Sequence, residues 1–195
     1  MNEKITRIIS AIGLIIGGLL GLAGSFAPND TLRLQAWNID GVALTFACGF
    51  LAIYYYEKKN FITAGGFLLF AIGECFILAS NSIILNEYPV RFAIGASLWS
   101  VATAVISSQK TFSIFLRITG SIVSVLFAIV AILIFTNHPI SPLTKPLPFF
   151  AYPFFVITIL GWAFSVLPLA PGKGNHFLIS FQDSKKSRLT VHDRP

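Results

Sequence analysis

One stretch of the chain places a chemically capable group where an apolar segment would normally exclude it. Phe61–Ser80 reads FITAGGFLLFAIGECFILAS and contains Glu74, the only fully charged residue expected well inside the membrane. About 20 apolar residues at 1.5 Å rise cover the roughly 30 Å hydrocarbon core, which puts Glu74 roughly 5 Å from the midplane. An ionisable side chain at that depth either fastens one helix to another or handles a proton, a cation or a substrate counter-charge.

On a helical wheel Glu74 shares its face with Thr63, Gly66, Phe67, Phe70 and Ala71, and that face turns toward other helices rather than lipid. Ser97 and Ser100, at similar depth in the following segment, are the expected hydrogen-bond partners, and Arg91 is within reach to pair. Paired with Arg91 the carboxylate stays charged; without it the low dielectric favours the protonated form. Thr63, Ser97, Ser100 and Arg91 with Glu74 therefore make up the candidate substrate or ion path. Asp40 is expected within one turn of a helix boundary, where a hydrated carboxylate costs little.

Catalytic chemistry has little to stand on. His138, His176 and His192 fall in a loop and in the C-terminal tail, so no span supplies the imidazole of a metal site or a Ser/His pair. Gly95-Ala96-Ser97 begins like a nucleophile turn, but Leu98 stands where the second glycine is required. There is no HExxH, no pair of intramembrane aspartates and no glycine-rich phosphate loop. The expectation is a protein that is not an enzyme and has neither catalytic residues, metal nor cofactor.

The elements that position Glu74 follow from composition. The 195 residues are 55% hydrophobic and only 11% charged, against roughly 25% charged in ordinary soluble domains. The fold class is an all-α integral membrane protein. The net charge of +6 does not imply nucleic acid, because the basic residues lie between hydrophobic runs and at the ends rather than in a stripe interleaved with aromatics. Cys48 and Cys75 both fall inside predicted spans, where they serve as small apolar packing residues.

Six transmembrane helices are expected, at about 8–27, 37–56, 61–80, 89–108, 111–135 and 146–167, within one domain of residues 1–170. Residues 171–195 form a short basic tail, whose Lys185, Lys186 and Arg188 read as a topology anchor with a secondary capacity for anionic lipid. The N-terminal run imitates a signal peptide, but Pro28 just after the apparent cleavage site and the length of 8–27 argue for an uncleaved helix.

Residues 28–36 read as a loop, and Asn29-Asp30-Thr31 as a glycosylation acceptor too near the membrane for use. The short link after Tyr56 makes the second and third helices antiparallel neighbours. Pro153 is expected to kink the sixth helix.

Two small-residue faces stand out. Gly13, Gly17 and Gly21 form overlapping GxxxG units, and Ala96, Ser100, Ala104 and Ser108 recur every four residues. Such faces let backbones approach closely where lipid removes the hydrophobic drive for association. Packing within the chain is the plainer reading for the glycines, and a homo-oligomer contact is the other.

Eleven Lys and Arg residues fall on the N-terminus, the second and fourth loops and the tail, against three (Arg33, Arg91, Lys145) on the other loops. That bias puts both termini in the cytoplasm, with the plasma or inner membrane as the expected location. A weak period of Ile9-Ser10-Ala11, Ile62-Thr63-Ala64 and Ile118-Thr119-Gly120 suggests three tandem helical hairpins.

Two functional readings follow. One is a non-enzymatic accessory or assembly component of a larger membrane complex or a homo-oligomer, with the lipid bilayer as its constant partner. The other is a small transporter or channel that uses Glu74.

Overall fold

The computed structural model describes residues 2–80, 89–138 and 140–168. The polar turn at 81–88, Pro139 and the basic tail 171–195 lie outside the described residues. Six α-helices follow one another, and the described residues contain no strand: α1 (Glu3–Ser25), α2 (Asp30–Glu57), α3 (Phe61–Ser80), α4 (Pro89–Ser108), α5 (Ile114–Phe135) and α6 (Ala151–Val166). The first five are long and apolar enough to cross a membrane. With 16 residues, α6 is about 24 Å long and falls short of a full span.

Helix boundaries follow local capping chemistry. Asn2 accepts from the Lys4 N–H at 3.0 Å, and Ser113 accepts from the Leu116 N–H at the start of α5. Asn29 does the same for α2, accepting from the Leu32 N–H at 2.9 Å, with Asp30 in the first turn and bonded to Arg33. The expected 28–36 loop is therefore mostly helix. Asn29 and Asp30 act here as a cap and a first-turn acid, and α2 starts seven residues before Trp37.

The sixth helix moves the other way. Residues 146–150 form turns rather than helix, because Pro146 and Pro148 bias Lys145 and Leu147 away from helical backbone. Pro153 then falls in the first turn, where its missing N–H has no helical partner to lose. The expected kink has no preceding turn to bend.

Each helix packs against its neighbours in sequence, and α6 closes back on α1. The six therefore form a ring. No helix occupies its centre, so side chains must fill it. Phe67 and Phe70 of α3 meet Trp162 and Phe155 of α6 across the middle, with ring centroids 5.2 and 5.6 Å apart. Trp99 of α4 and Phe127 of α5 complete the plug, at 4.7 Å (Trp99) and 5.2 Å (Phe127) from Phe155. Helix association in lipid depends on packing rather than water exclusion. Ring pairs of this kind contribute about 0.5–1.5 kcal/mol each.

Candidate functional site

The two ends of the ring differ in chemistry. The basic end carries Arg7, Lys58, Lys59, Lys110 and Arg117, and several of its polar groups are bonded to one another, although the buried Ser10 Oγ and Ser107 Oγ have no partner among the described residues. Arg7 Nε donates to the Val166 carbonyl at 2.7 Å, tying α1 to the end of α6. Asn60 Nδ2 donates to Thr111 Oγ1 at 2.8 Å, and Lys58 Nζ donates to Glu3 Oε2 at 2.8 Å.

At the opposite end lies a small chamber. Glu74 stands one turn beyond Phe70 on the buried face of α3; it is 1% exposed, and its Oε1 has no hydrogen-bond partner among the described residues. Asp40 of α2 is the second carboxyl. As a residue Asp40 is half-buried, yet its Oδ1 is shut away and also lacks a hydrogen-bond partner among the described residues. Asp40 and Tyr152 of α6 line one small cavity.

The Trp99 indole lies beside the Glu74 carboxyl, but its Nε1 closes no bond of good geometry. Trp37, Asp40, Trp99 and Tyr152, with Ile77, Phe92 and Pro142, surround a cavity of about 10 Å³, close to the least space one water occupies; Glu74 does not itself line it.

The backbone approaches that shape this chamber come from glycine. A Cβ on Gly21 of α1 would fall 2.6 Å from Asp40 Oδ2, and one on Gly13 would fall 2.8 Å from the Ala47 Cβ. Gly17 faces Leu44 in the same seam. The three glycines thus lie against α2 of the same chain. Gly73 and Gly95 bring α3 and α4 together next to Glu74; a Cβ on Gly95 would meet the Gly73 carbonyl oxygen at 3.1 Å.

The other expected path residues lie apart from Glu74. Thr63 is buried at the basic end, 3.2 Å from Thr111 Oγ1. Eleven residues along α3, about 16 Å, separate it from Glu74, with Phe67 and Phe70 between. Ser97 Oγ donates to the Ala93 carbonyl in its own helix at 2.8 Å, and Ser100 Oγ donates to the Ser124 carbonyl of α5 at 2.8 Å. Arg91 Nη1 donates to the Ala79 carbonyl at 3.3 Å.

Ala96 is fully buried, whereas Ala104 and Ser108 face outward. Four residues turn a helix 400°, so an every-four row drifts about 40° per step and leaves the interface within three steps.

Asp40 is the residue that sequence reasoning misplaced. With α2 beginning at Asp30, Asp40 lies ten residues into the helix rather than at its boundary. A signal was available: Trp37, Gly41, Leu44, Cys48, Leu51 and Tyr55 repeat at alternating three- and four-residue steps and are all buried. Asp40 sits on the edge of that stripe.

Buried carboxyl oxygens without donors are costly, and two close together cannot both hold a bare charge in a low dielectric. No family model, curated protein or solved structure matches this chain. The functional argument therefore rests on the chamber.

Proposed function

We propose that this is a multi-pass membrane protein that holds and exchanges a proton or small monovalent cation between Asp40 and Glu74, in the manner of a small transporter. The observation that carries the reading is the pair of inward carboxyl oxygens, Asp40 Oδ1 and Glu74 Oε1, that no described donor satisfies. The Tyr152 hydroxyl, which can both donate and accept, is the group through which the carboxyls would exchange a proton, and the Trp99 N–H would serve only as a donor.

The reading takes the helices as three tandem hairpins with both termini cytoplasmic in the plasma or inner membrane, so the chamber faces outward. The aromatic plug then separates the chamber from the cytoplasm, and a transport cycle requires Phe67, Phe70 and Trp162 to shift.

The test is flux in proteoliposomes loaded with a pH-sensitive dye, under a proton gradient and then under sodium or potassium gradients. Wild-type flux should fall at least about tenfold in Asp40→Asn and in Glu74→Gln, the size expected when a positioned proton-transfer group is lost.

A second reading, a non-enzymatic accessory subunit or homo-oligomer component, draws on the plugged lumen, across which α3 and α6 touch only through side chains. In that case wild-type vesicles show no flux above empty ones, and both substitutions alter only assembly or unfolding temperature.

A further inference from the structure

A second unassigned feature lies on the outer face of the ring at the basic end, independent of the chamber. A groove of about 510 Å³ runs between α4 and α5. Its wall is aliphatic: Ile114, Ile118 and Val125 are each more than half exposed. From Ile114 to Val125 it extends about 17 Å along the helix.

At its head stands Arg117, half-buried, with Nε donating to the Ser107 carbonyl at 2.9 Å. That bond fixes the plane of the guanidinium, and its two terminal nitrogens make no hydrogen bond among the described residues. Ser107 of α4 also lines the groove, but it is 5% exposed and its Oγ turns inward against Gly120 of α5. None of the lining residues is acidic.

A guanidinium fork held by its Nε, with both terminal nitrogens unbonded, matches a phosphate monoanion. An aliphatic trough leading away from it matches hydrocarbon. The two together suit a molecule that is anionic at one end and apolar along its length. A free phosphate would use only the head of the groove, and an apolar partner helix would leave the terminal guanidinium nitrogens unmatched.

We propose that this groove binds one anionic phospholipid, with its phosphate at Arg117 and one acyl chain along Ile118, Ile122 and Val125. The basic end is also where an anionic leaflet would meet the protein.

The experiment is native mass spectrometry of the full chain released from nanodiscs of mixed phosphatidylglycerol and phosphatidylcholine. It compares wild type with Arg117→Gln, Arg117→Lys and the groove-filling Val125→Trp. Wild type should retain phosphatidylglycerol over phosphatidylcholine by about fivefold, the effect expected of one basic residue at the surface. R117Q should bring the ratio to near parity, R117K should restore part of it, and V125W should reduce retention of both lipids.

The proposal is overturned if R117Q keeps the full preference, which would assign it to other basic residues. It is also overturned if soluble glycerol phosphate shields Arg117 from phenylglyoxal as well as the lipid does, since an anion site without a chain would explain that. A wild-type dimer that V125W converts to monomer would instead make the groove a protein interface. Should R117Q fail to fold, V125W alone decides whether the groove holds a chain.

Discussion

The basic end and the chamber end of the same ring differ in how they match their inward ionisable groups, although the basic end also leaves the neutral Ser10 Oγ and Ser107 Oγ without a partner among the described residues. At the basic end Thr63 is fully buried yet bonded to Thr111, and Arg7 spends its guanidinium on the last carbonyls of α6. At the chamber end Glu74 is as deeply buried, but Oε1 of Glu74, Oδ1 of Asp40 and Nε1 of Trp99 go unmatched. Folding alone would favour the first arrangement everywhere, since each unsatisfied buried group costs about 1–3 kcal/mol. The difference teaches where the fold has given up stability, and such places are where function is usually found.

The sharpest way to break the contrast is to remove what keeps the two ends apart. Phe67 touches Tyr55, Phe112 and Trp162, so Phe67→Ala opens a hole in the plug from the basic side. The expected cost is about 3–5 kcal/mol in the detergent unfolding midpoint. Proteoliposomes carrying the variant should also leak protons in a way that depends on Glu74. A variant that is destabilised but tight would mean that Phe70 and Trp99 seal the chamber by themselves.

Next in size is the loss of a satisfied group. Arg7→Met keeps the apolar stem but leaves the Val166 and Leu167 carbonyls without their donor. Bonds from a charged donor are worth about 1.5–3 kcal/mol each. Destabilisation of about 2 kcal/mol is expected, together with faster amide exchange at the end of α6.

The chamber end should respond with the opposite sign. Glu74→Gln and Asp40→Asn are close in shape to the native residues and remove the charge that burial penalises. Each should leave the unfolding midpoint unchanged or raise it, by up to about 1 kcal/mol, while abolishing any flux. If both instead destabilise by as much as Arg7→Met, the carboxyls are structural fasteners and the contrast between the ends dissolves.

The parts of this architecture that were legible in the sequence are those governed by long averages. The α3 span coincides with its expected limits, and α4 begins at Pro89 as expected, because a 20-residue apolar run with a first-turn proline has few alternatives. Helix ends decided by a single cap were harder to read. Asn29 and Asp30 looked like a loop because polar residues between apolar runs usually are one, yet their side chains serve the backbone of α2.

That seven-residue difference moved Asp40 from the rim to the interior, and with it half of the candidate site. Tyr152 could not have been joined to Asp40 and Glu74 from sequence, since only the closed ring, with α6 against α1, turns α6 side chains toward those of α2 and α3 across the centre. Ser100 failed as a partner for Glu74 because it donates across the seam to the Ser124 carbonyl of α5, and Ser97 failed for a local reason. A serine hydroxyl in a membrane helix finds a nearby carbonyl with no entropy cost beyond its own rotamer.

The smallest effect tests whether water reaches the two ends equally. Lys58 and Glu3 meet on the surface of the basic end, and the bond from Glu3 holds the Lys58 ammonium above its usual range. A group whose folded value is raised stabilises fully below its unfolded value, and the contribution is lost as pH rises through the folded one. The pair therefore acts across neutral pH. It fades in strong alkali when Lys58 loses its proton and in acid when Glu3 gains one. Both side chains are about half exposed, at 48% and 49%, so salt screens them. Lys58→Met should shift the unfolding midpoint barely above error at low ionic strength and not at all in molar salt. Glu74→Gln, measured in the same two buffers, should give the same shift in each, because no bulk ion screens a group that is 1% exposed. A salt-sensitive Glu74→Gln would mean that the chamber is open to solution, and the division between a wet end and a dry one would have to be redrawn.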